Sequence, residues 1–182
     1  MSAYPPAPEW HTSAWLNCET PLSLSALRGR VVVVEAFQML CPACVLHALP
    51  QAQRLAQRLR QRALAVVGLH CVFEHHAVMT LAALRVFLDE YRIRFPVGVD
   101  APDENGGRIP RTMRAYAMQG TPTTVLIDAA GRLRRQWFGA VDDLELGVEV
   151  GSLLAEAEHA LAVTPSRAGE ARSGCDPSGD AA

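Results

Sequence analysis

The sequence predicts an α/β domain: a mixed central sheet flanked by helices, with an N-terminal β-hairpin and an inserted helix–strand element. Three observations carry this prediction. Val31–Phe37 and Ala65–Leu69 are β-branched runs that are apolar on both faces, and an amphipathic helical pattern joins them, which is the signature of a β-α-β unit paired in parallel. Thr123–Ile127 and Leu133–Phe138 flank the tight turn Asp128-Ala129-Ala130-Gly131, a hairpin that needs antiparallel pairing. A last helical pattern, Leu144–Leu161, closes the domain.

The elements follow in chain order. Met1 to about His11 is Pro-rich and reads as an extended arm, so the chain divides into an arm (1–13), one domain (14–163) and a Ser/Gly/Pro/Asp-rich tail (164–182) expected to be disordered. Trp15-Leu16-Asn17 and Leu22-Ser23-Leu24 alternate around a polar turn and predict the small hairpin. Val31–Phe37 is the central buried strand. Cys41 and Pro42 open a helix, since proline at the first helical position lacks only an N–H that the helix cannot use there. Val45, Leu49, Ala52, Ala56 and Leu59 recur on one face of that helix, and Pro50 inside it should kink it. Met79–Tyr91 is a second amphipathic helix carrying Leu81, Leu84 and Leu88. Phe95–Val99 is a short strand, Asp100–Pro110 a polar loop, and Arg111–Met118 a short helix ending near Gly120.

Composition excludes several function classes. The 182 residues are 49 % hydrophobic and 20 % charged, which is ordinary for a globular domain large enough to bury a core. The net charge of -2 and scattered arginines give no nucleic-acid footprint. No apolar run approaches the ~18 residues of a membrane span. The first residues have neither a basic start nor an apolar stretch, so no secretory signal is seen and a cytoplasmic location is expected.

Five cysteines, Cys18, Cys41, Cys44, Cys71 and Cys175, do not make a disulfide framework. The informative pair is Cys41-Pro42-Ala43-Cys44 at the strand-to-helix junction. Free N–H groups and the positive end of the helix dipole there stabilise a thiolate on Cys41. Cys44, three residues on, falls on nearly the same helix face and can attack a mixed disulfide held on Cys41. A zinc site would need two more ligands; His70, Cys71, His75 and His76 supply no second Cys-x-x-Cys, and no metal is expected. Two further features bear on the same chemistry. Gly120-Thr121-Pro122-Thr123 stands directly before a strand; a cis bond there would turn the Thr121 backbone toward an extended substrate, whereas a trans proline would be an ordinary strand entrance. Glu35 is a carboxylate in an apolar run, either buried with a raised pKa or reaching solvent at the strand end.

Together these residues resemble the thioredoxin superfamily, in particular the TlpA/ResA-like thiol–disulfide oxidoreductases grouped with AhpC/TSA proteins as redoxins. The likeness runs from about Trp15 to about Leu154 and rests on the Val31–Phe37 strand, the dithiol, the Phe95-Pro96-Val97 strand, Thr121-Pro122 about eighty residues after the dithiol, and the hairpin. It implies a thioredoxin fold, a cis Pro122 beside the dithiol, and a buried acid at Glu35, six residues before Cys41, that assists Cys44. Thr121, Pro122 and Pro42 are then the substrate-facing residues, and Cys41, Cys44 and Glu35 the catalytic ones. The expected activity is exchange or reduction of disulfides in protein substrates, with a thiol electron donor and no cofactor. Two departures stand out: Leu40 occupies the place of the usual tryptophan, and Pro42 directly follows the first cysteine. A thiol peroxidase is an alternative, because Cys44 sits near the peroxidatic position of Thr-x-x-Cys proteins, although Cys41 replaces their threonine. A metal-binding or metallochaperone module is another.

Overall fold

The computed structural model describes residues 4–163. Its core is a six-stranded mixed sheet built from β1 (Thr12–Leu16), β2 (Val31–Phe37), β3 (Leu64–His70), β4 (Val97–Asp100), β5 (Thr123–Ile127) and β6 (Leu133–Phe138), in the spatial order β1-β4-β3-β2-β5-β6. β2, β3 and β4 run parallel; β1 pairs antiparallel with β4, and β5 and β6 continue antiparallel from β2. Helix α1 (Leu49–Arg58) connects β2 to β3, α2 (Leu81–Glu90) is the insertion before β4, α3 (Arg111–Ala115) precedes β5, and α4 (Asp143–Val163) closes the chain.

β2 is buried along its whole length because both faces are covered. Val31, Val33 and Phe37 pack on one side with Cys44, with Leu49 and Ala52 of α1, Leu84 and Leu88 of α2, and Leu146, Val150, Leu153 and Leu154 of α4. Val32, Val34 and Ala36 pack on the other side with Met113 and Tyr116 of the α3 region and with Leu24 and Leu27. The strand alternation therefore assigns every β2 side chain to a face. Helix α2 begins one residue after Thr80, whose hydroxyl accepts the Ala83 N–H at 3.2 Å as an N-cap.

One expectation is corrected: among the described residues no N-terminal hairpin forms, because β1 pairs with the free edge of β4 and Leu22–Leu24 is not a strand. Asn17 turns the chain away with φ 59° and anchors its amide to the Ile93 and Phe95 carbonyls at 2.8 and 3.2 Å. Leu24 and Leu27 are then buried around a 3₁₀ turn, held by the Glu9 carboxylate, which accepts the Leu24 and Ser25 N–H groups at 2.8 and 2.7 Å. The expected arm runs against the rest of the domain. The Ala7 N–H donates to the Gly131 carbonyl at 3.0 Å, the Leu133 N–H to Pro5 at 2.9 Å, and the Tyr116 hydroxyl to Pro8 at 2.6 Å, so residues 5–8 line the β5–β6 turn, and β1 already begins at Thr12. The tail at 164–182, with Cys175, lies outside the described residues.

Pro50 acts one turn earlier than a simple kink. It has no N–H for the Leu46 carbonyl, and the helix relaxes through a π turn over Cys44–Ala48, closed by the Leu49 N–H on the Cys44 carbonyl. The widened turn lies directly behind the dithiol.

Candidate active site

β2 delivers the chain to the sheet's C-terminal end, where it turns at Gln38–Leu40. The Cys41 N–H donates to the Gln38 carbonyl at 3.3 Å, and the Val45 N–H to the Cys41 carbonyl at 3.1 Å, so the first cysteine is fixed at the mouth of the helix. Cys41 and Cys44 are joined as a disulfide with their Cα atoms 5.2 Å apart. The two sulfurs are not equivalent. Cys44 is fully buried among Phe37, Leu49 and their neighbours, whereas Cys41 is only partly covered, with Pro42 and Leu40 exposed on either side. The Cys44 N–H donates to Cys41 Sγ at 3.2 Å. In the reduced state this donor and the helix terminus favour a thiolate on Cys41 and leave Cys44 without such help.

β5 brings the second part of the site. The Thr121–Pro122 bond is cis, and the Thr121 carbonyl oxygen is 3.5 Å from Cys41 Sγ. Pro122 is buried and Thr121 half-buried. The Gly139 N–H donates to the Pro122 carbonyl at 2.9 Å and ties this corner to the end of β6. Phe138 lies against Gly120, where even a Cβ would come within 2.9 Å of its ring. Phe138 and Leu40 are both more than half exposed. The sequence reading did not single out Phe138 or Gly139; only their position at the end of a strand that returns beside Thr121 could have suggested them.

Glu35 does not reach solvent. It pairs in register with Thr124 and is 1 % exposed, on the same face of the sheet as Val33, Phe37 and Cys44. Its Oε2 accepts the Thr124 hydroxyl at 2.8 Å, and Oε1 has no protein partner among the described residues. Burial pushes its pKa up to about 8, with the Thr124 bond pulling weakly the other way. A carboxylic acid of that pKa exchanges its proton near neutrality.

The His70–His76 segment separates into two parts. His70 and Cys71 are buried, while Glu74 to Val78 are exposed. Cys71 lies on the opposite face of the sheet from the dithiol, where its thiol donates to Asp100 at 3.6 Å; burial first, and then the Asp100 charge, push it well above the ordinary thiol range. Among the described residues no three His, Cys, Asp or Glu side chains come together as a metal site. The structure thus brings Cys41, Cys44, Pro42, Thr121 and Pro122 into one site with Glu35 on the sheet face behind it, and leaves Cys71 apart.

Comparison with known proteins bears on the family and the fold. The AhpC/TSA family model matches residues 6–136. The crystal structure of a thioredoxin-like superfamily protein is 54 % identical and superposes with a TM-score of 0.79 over 82 % of this chain and 96 % of that one. A thiol-disulfide isomerase from Corynebacterium glutamicum is 53 % identical, with a TM-score of 0.77 over 82 % and 97 %. A thioredoxin-like protein in the oxidized form, at 24 % identity and a TM-score of 0.68 over 86 % and 99 %, shares the fold. No curated protein matches the chain in sequence. The activity these relatives support is that of an oxidoreductase, and the chain belongs to the AhpC/TSA family, with a thioredoxin-like fold.

Proposed function

We propose that this chain reduces or exchanges disulfides in protein substrates through the Cys41–Cys44 dithiol. The observation that carries the reading is the asymmetry of the pair: a partly exposed Cys41 beside the Thr121 carbonyl, with Cys44 sealed behind it. An extended substrate segment pairs with the Thr121 backbone, and its disulfide meets Cys41. The Cys41 thiolate attacks one substrate sulfur, the substrate S–S bond breaks, and the other substrate sulfur leaves as a thiolate. Cys44 then gives its proton to the Glu35 carboxylate and attacks Cys41 Sγ. The mixed disulfide breaks, the second substrate thiolate leaves, and Cys41–Cys44 remains oxidised until a thiol electron donor returns two electrons. In a reducing compartment the reducing direction is favoured.

The peroxidase reading is less well supported. The sulfur near the peroxidatic position is Cys44, and it is fully buried, whereas the accessible sulfur is the one that replaces the peroxidase threonine. The discriminating experiment is trapping. Cys44→Ser should accumulate a covalent adduct between Cys41 and a disulfide-containing protein, cleaved by added thiol, and the wild-type protein should consume peroxide no faster than a free dithiol. Fast peroxide turnover with no trapped adduct would reverse the choice.

A further inference from the structure

His70 is buried, and no step above uses it. It is the last residue of β3 and is 1 % exposed. It pairs in register with Phe37, and Glu35 pairs with Gly68. Val31 and Val33 of β2 share a cluster with Leu64 and Val66, their partners on β3, and with Phe37 and Cys44, so alternation sends Glu35 and His70 to that same face. The His70 ring packs on Phe37 at 5.3 Å between centroids. Glu35 and His70 are thus diagonal corners of a rectangle completed by Phe37 and Gly68, their Cα atoms roughly 8 Å apart by strand spacing. Because β2 and β3 are parallel, His70 lies about 6.6 Å nearer the dithiol end of the sheet than Glu35, on the way to the exposed segment 74–78.

Each of the two has a buried polar atom without a protein partner among the described residues, Oε1 of Glu35 and Nε2 of His70. Such orphans are rare in folded proteins and mark catalytic groups or internal water. Besides Thr124, which bonds Glu35, this face carries apolar neighbours: Val99 pairs with His70 from β4, and Leu84, Phe87 and Leu88 come from α2. Of the other buried titratable groups among the described residues, Cys71 and Asp100 are paired on the opposite face, and Asp128, beyond the end of β5, is held by Arg132 and Arg134.

The base step leaves Glu35 protonated where solvent does not reach it, and the carboxylate must be restored before the next turnover. We infer that His70 is the exit for that proton: Glu35 passes it through internal water to His70 Nε2, and the resulting imidazolium releases a proton to solvent beyond the strand end. The carboxylate is regenerated and the imidazole returns to neutral, so charge and protons balance. Burial holds the His70 pKa down at about 4, well below that of Glu35, so the transfer is uphill and the imidazolium is a transient carrier that does not retain the proton at neutral pH. The inference rests on Glu35 acting as the base for Cys44.

The test is a stopped-flow single turnover of reduced protein with a disulfide peptide at pH 6–9, which separates attack from resolution. Wild type should resolve in one phase. His70→Phe, which keeps a ring against Phe37, should leave attack unchanged and split resolution in two. The fast phase should be the fraction with Glu35 already ionised, about a tenth at pH 7 and about half at pH 8. The slow phase should lag by about tenfold or more, the lower part of the range for lost proton-transfer catalysis. His70→Gln, polar but without a second ring nitrogen, should show the same two phases and serves if the Phe variant does not fold by circular dichroism. A single phase at the wild-type rate in a folded variant overturns the relay. So does a single phase whose pH midpoint alone has moved, because that is electrostatics. If Glu35→Gln resolves as fast as wild type, the base reading itself has failed, whatever the His70 variants do.

Discussion

Glu35→Gln should change the shape of the stability–pH curve, not only its height. The native state holds the Glu35 proton up to about pH 8, whereas the unfolded chain releases it near 4.5. Between those values the native state binds one more proton than the unfolded state, so stability falls by about 1.4 kcal/mol per pH unit, and the contribution present below pH 4.5 is lost as pH rises through 8. The full span is about 5 kcal/mol, comparable with the whole stability of many domains. His70 acts in the opposite sense. Its pKa is lowered from 6.5 to about 4, so between those values the unfolded chain binds the extra proton and stability rises with pH by about the same slope. The two slopes nearly cancel between pH 4.5 and 6.5, and Glu35 acts alone from 6.5 to 8. Wild type should therefore show a plateau followed by an alkaline decline. Glu35→Gln should rise through the acid range and then stay flat to pH 8, and His70→Phe should decline throughout. The assay is urea unfolding of the oxidised protein, in which neither Cys41 nor Cys44 titrates, at half-unit steps from pH 4 to 8.5. A Glu35→Gln curve parallel to wild type above pH 6.5 would refute the reasoning, because it would mean that the carboxylate ionises freely in the folded state.

Two further outcomes test the frame around the site. Asp100→Ala should destabilise the protein by about 2–4 kcal/mol, measured by chemical unfolding, because the Thr112 and Met113 N–H groups, both bonded at 2.8 Å, and the Cys71 thiol lose their acceptor together; a loss below about 0.5 kcal/mol would contradict that account. Gly68→Ala should cost about 1–3 kcal/mol, since the new Cβ meets Val97, Phe95 and Phe37 at 3.0–3.2 Å with little room to yield, and thermal unfolding that leaves Tm unchanged would show that the corner beside Glu35 is looser than described.

The central machinery was legible because the relevant signals are local. A β-branched run, a Cys-x-x-Cys and a proline at the helix start specify a strand, a turn and a helix mouth without long-range information. The β5–β6 hairpin was legible for the same reason. The N-terminal region was not. Leu22-Ser23-Leu24 has the alternation of a strand, but the free edge of β4 competes for β1, and Glu9 supplies N–H acceptors that favour a 3₁₀ turn at Ser25–Leu27. Neither partner is near in sequence. The burial of Glu35 lies between these cases: its place in an apolar run allowed two readings, and the packing of α1 and α4 over that face decided between them. His70 was hidden by its neighbours, since a His-rich loop suggests metal ligands and the strand boundary that separates His70 from His75 and His76 is visible only in the pairing.

Two of the buried acids, Asp100 and Glu35, show why burial alone does not mark a candidate base. Asp100 and Glu35 are both nearly sealed, and desolvation raises both. Asp100 is held by two backbone N–H groups and a thiol, donors that favour its charged form and offset part of the burial, so its oxygens are already committed to α3 and Cys71. Glu35 accepts one hydroxyl and leaves an oxygen without a protein donor, on the face that also packs Cys44. A committed carboxylate cannot take a proton without releasing its donors, whereas an uncommitted one can, and its raised pKa places the transfer in the neutral range. The same test separates His70, whose Nε2 has no protein partner among the described residues, from Cys71 beside it in sequence, whose thiol is already donated. Among the described residues the unpartnered polar atoms of Glu35 on β2 and His70 on β3 lie on the dithiol's face and the bonded Cys71–Asp100 pair lies on the other, so the proton chemistry proposed above falls on one side of a single sheet.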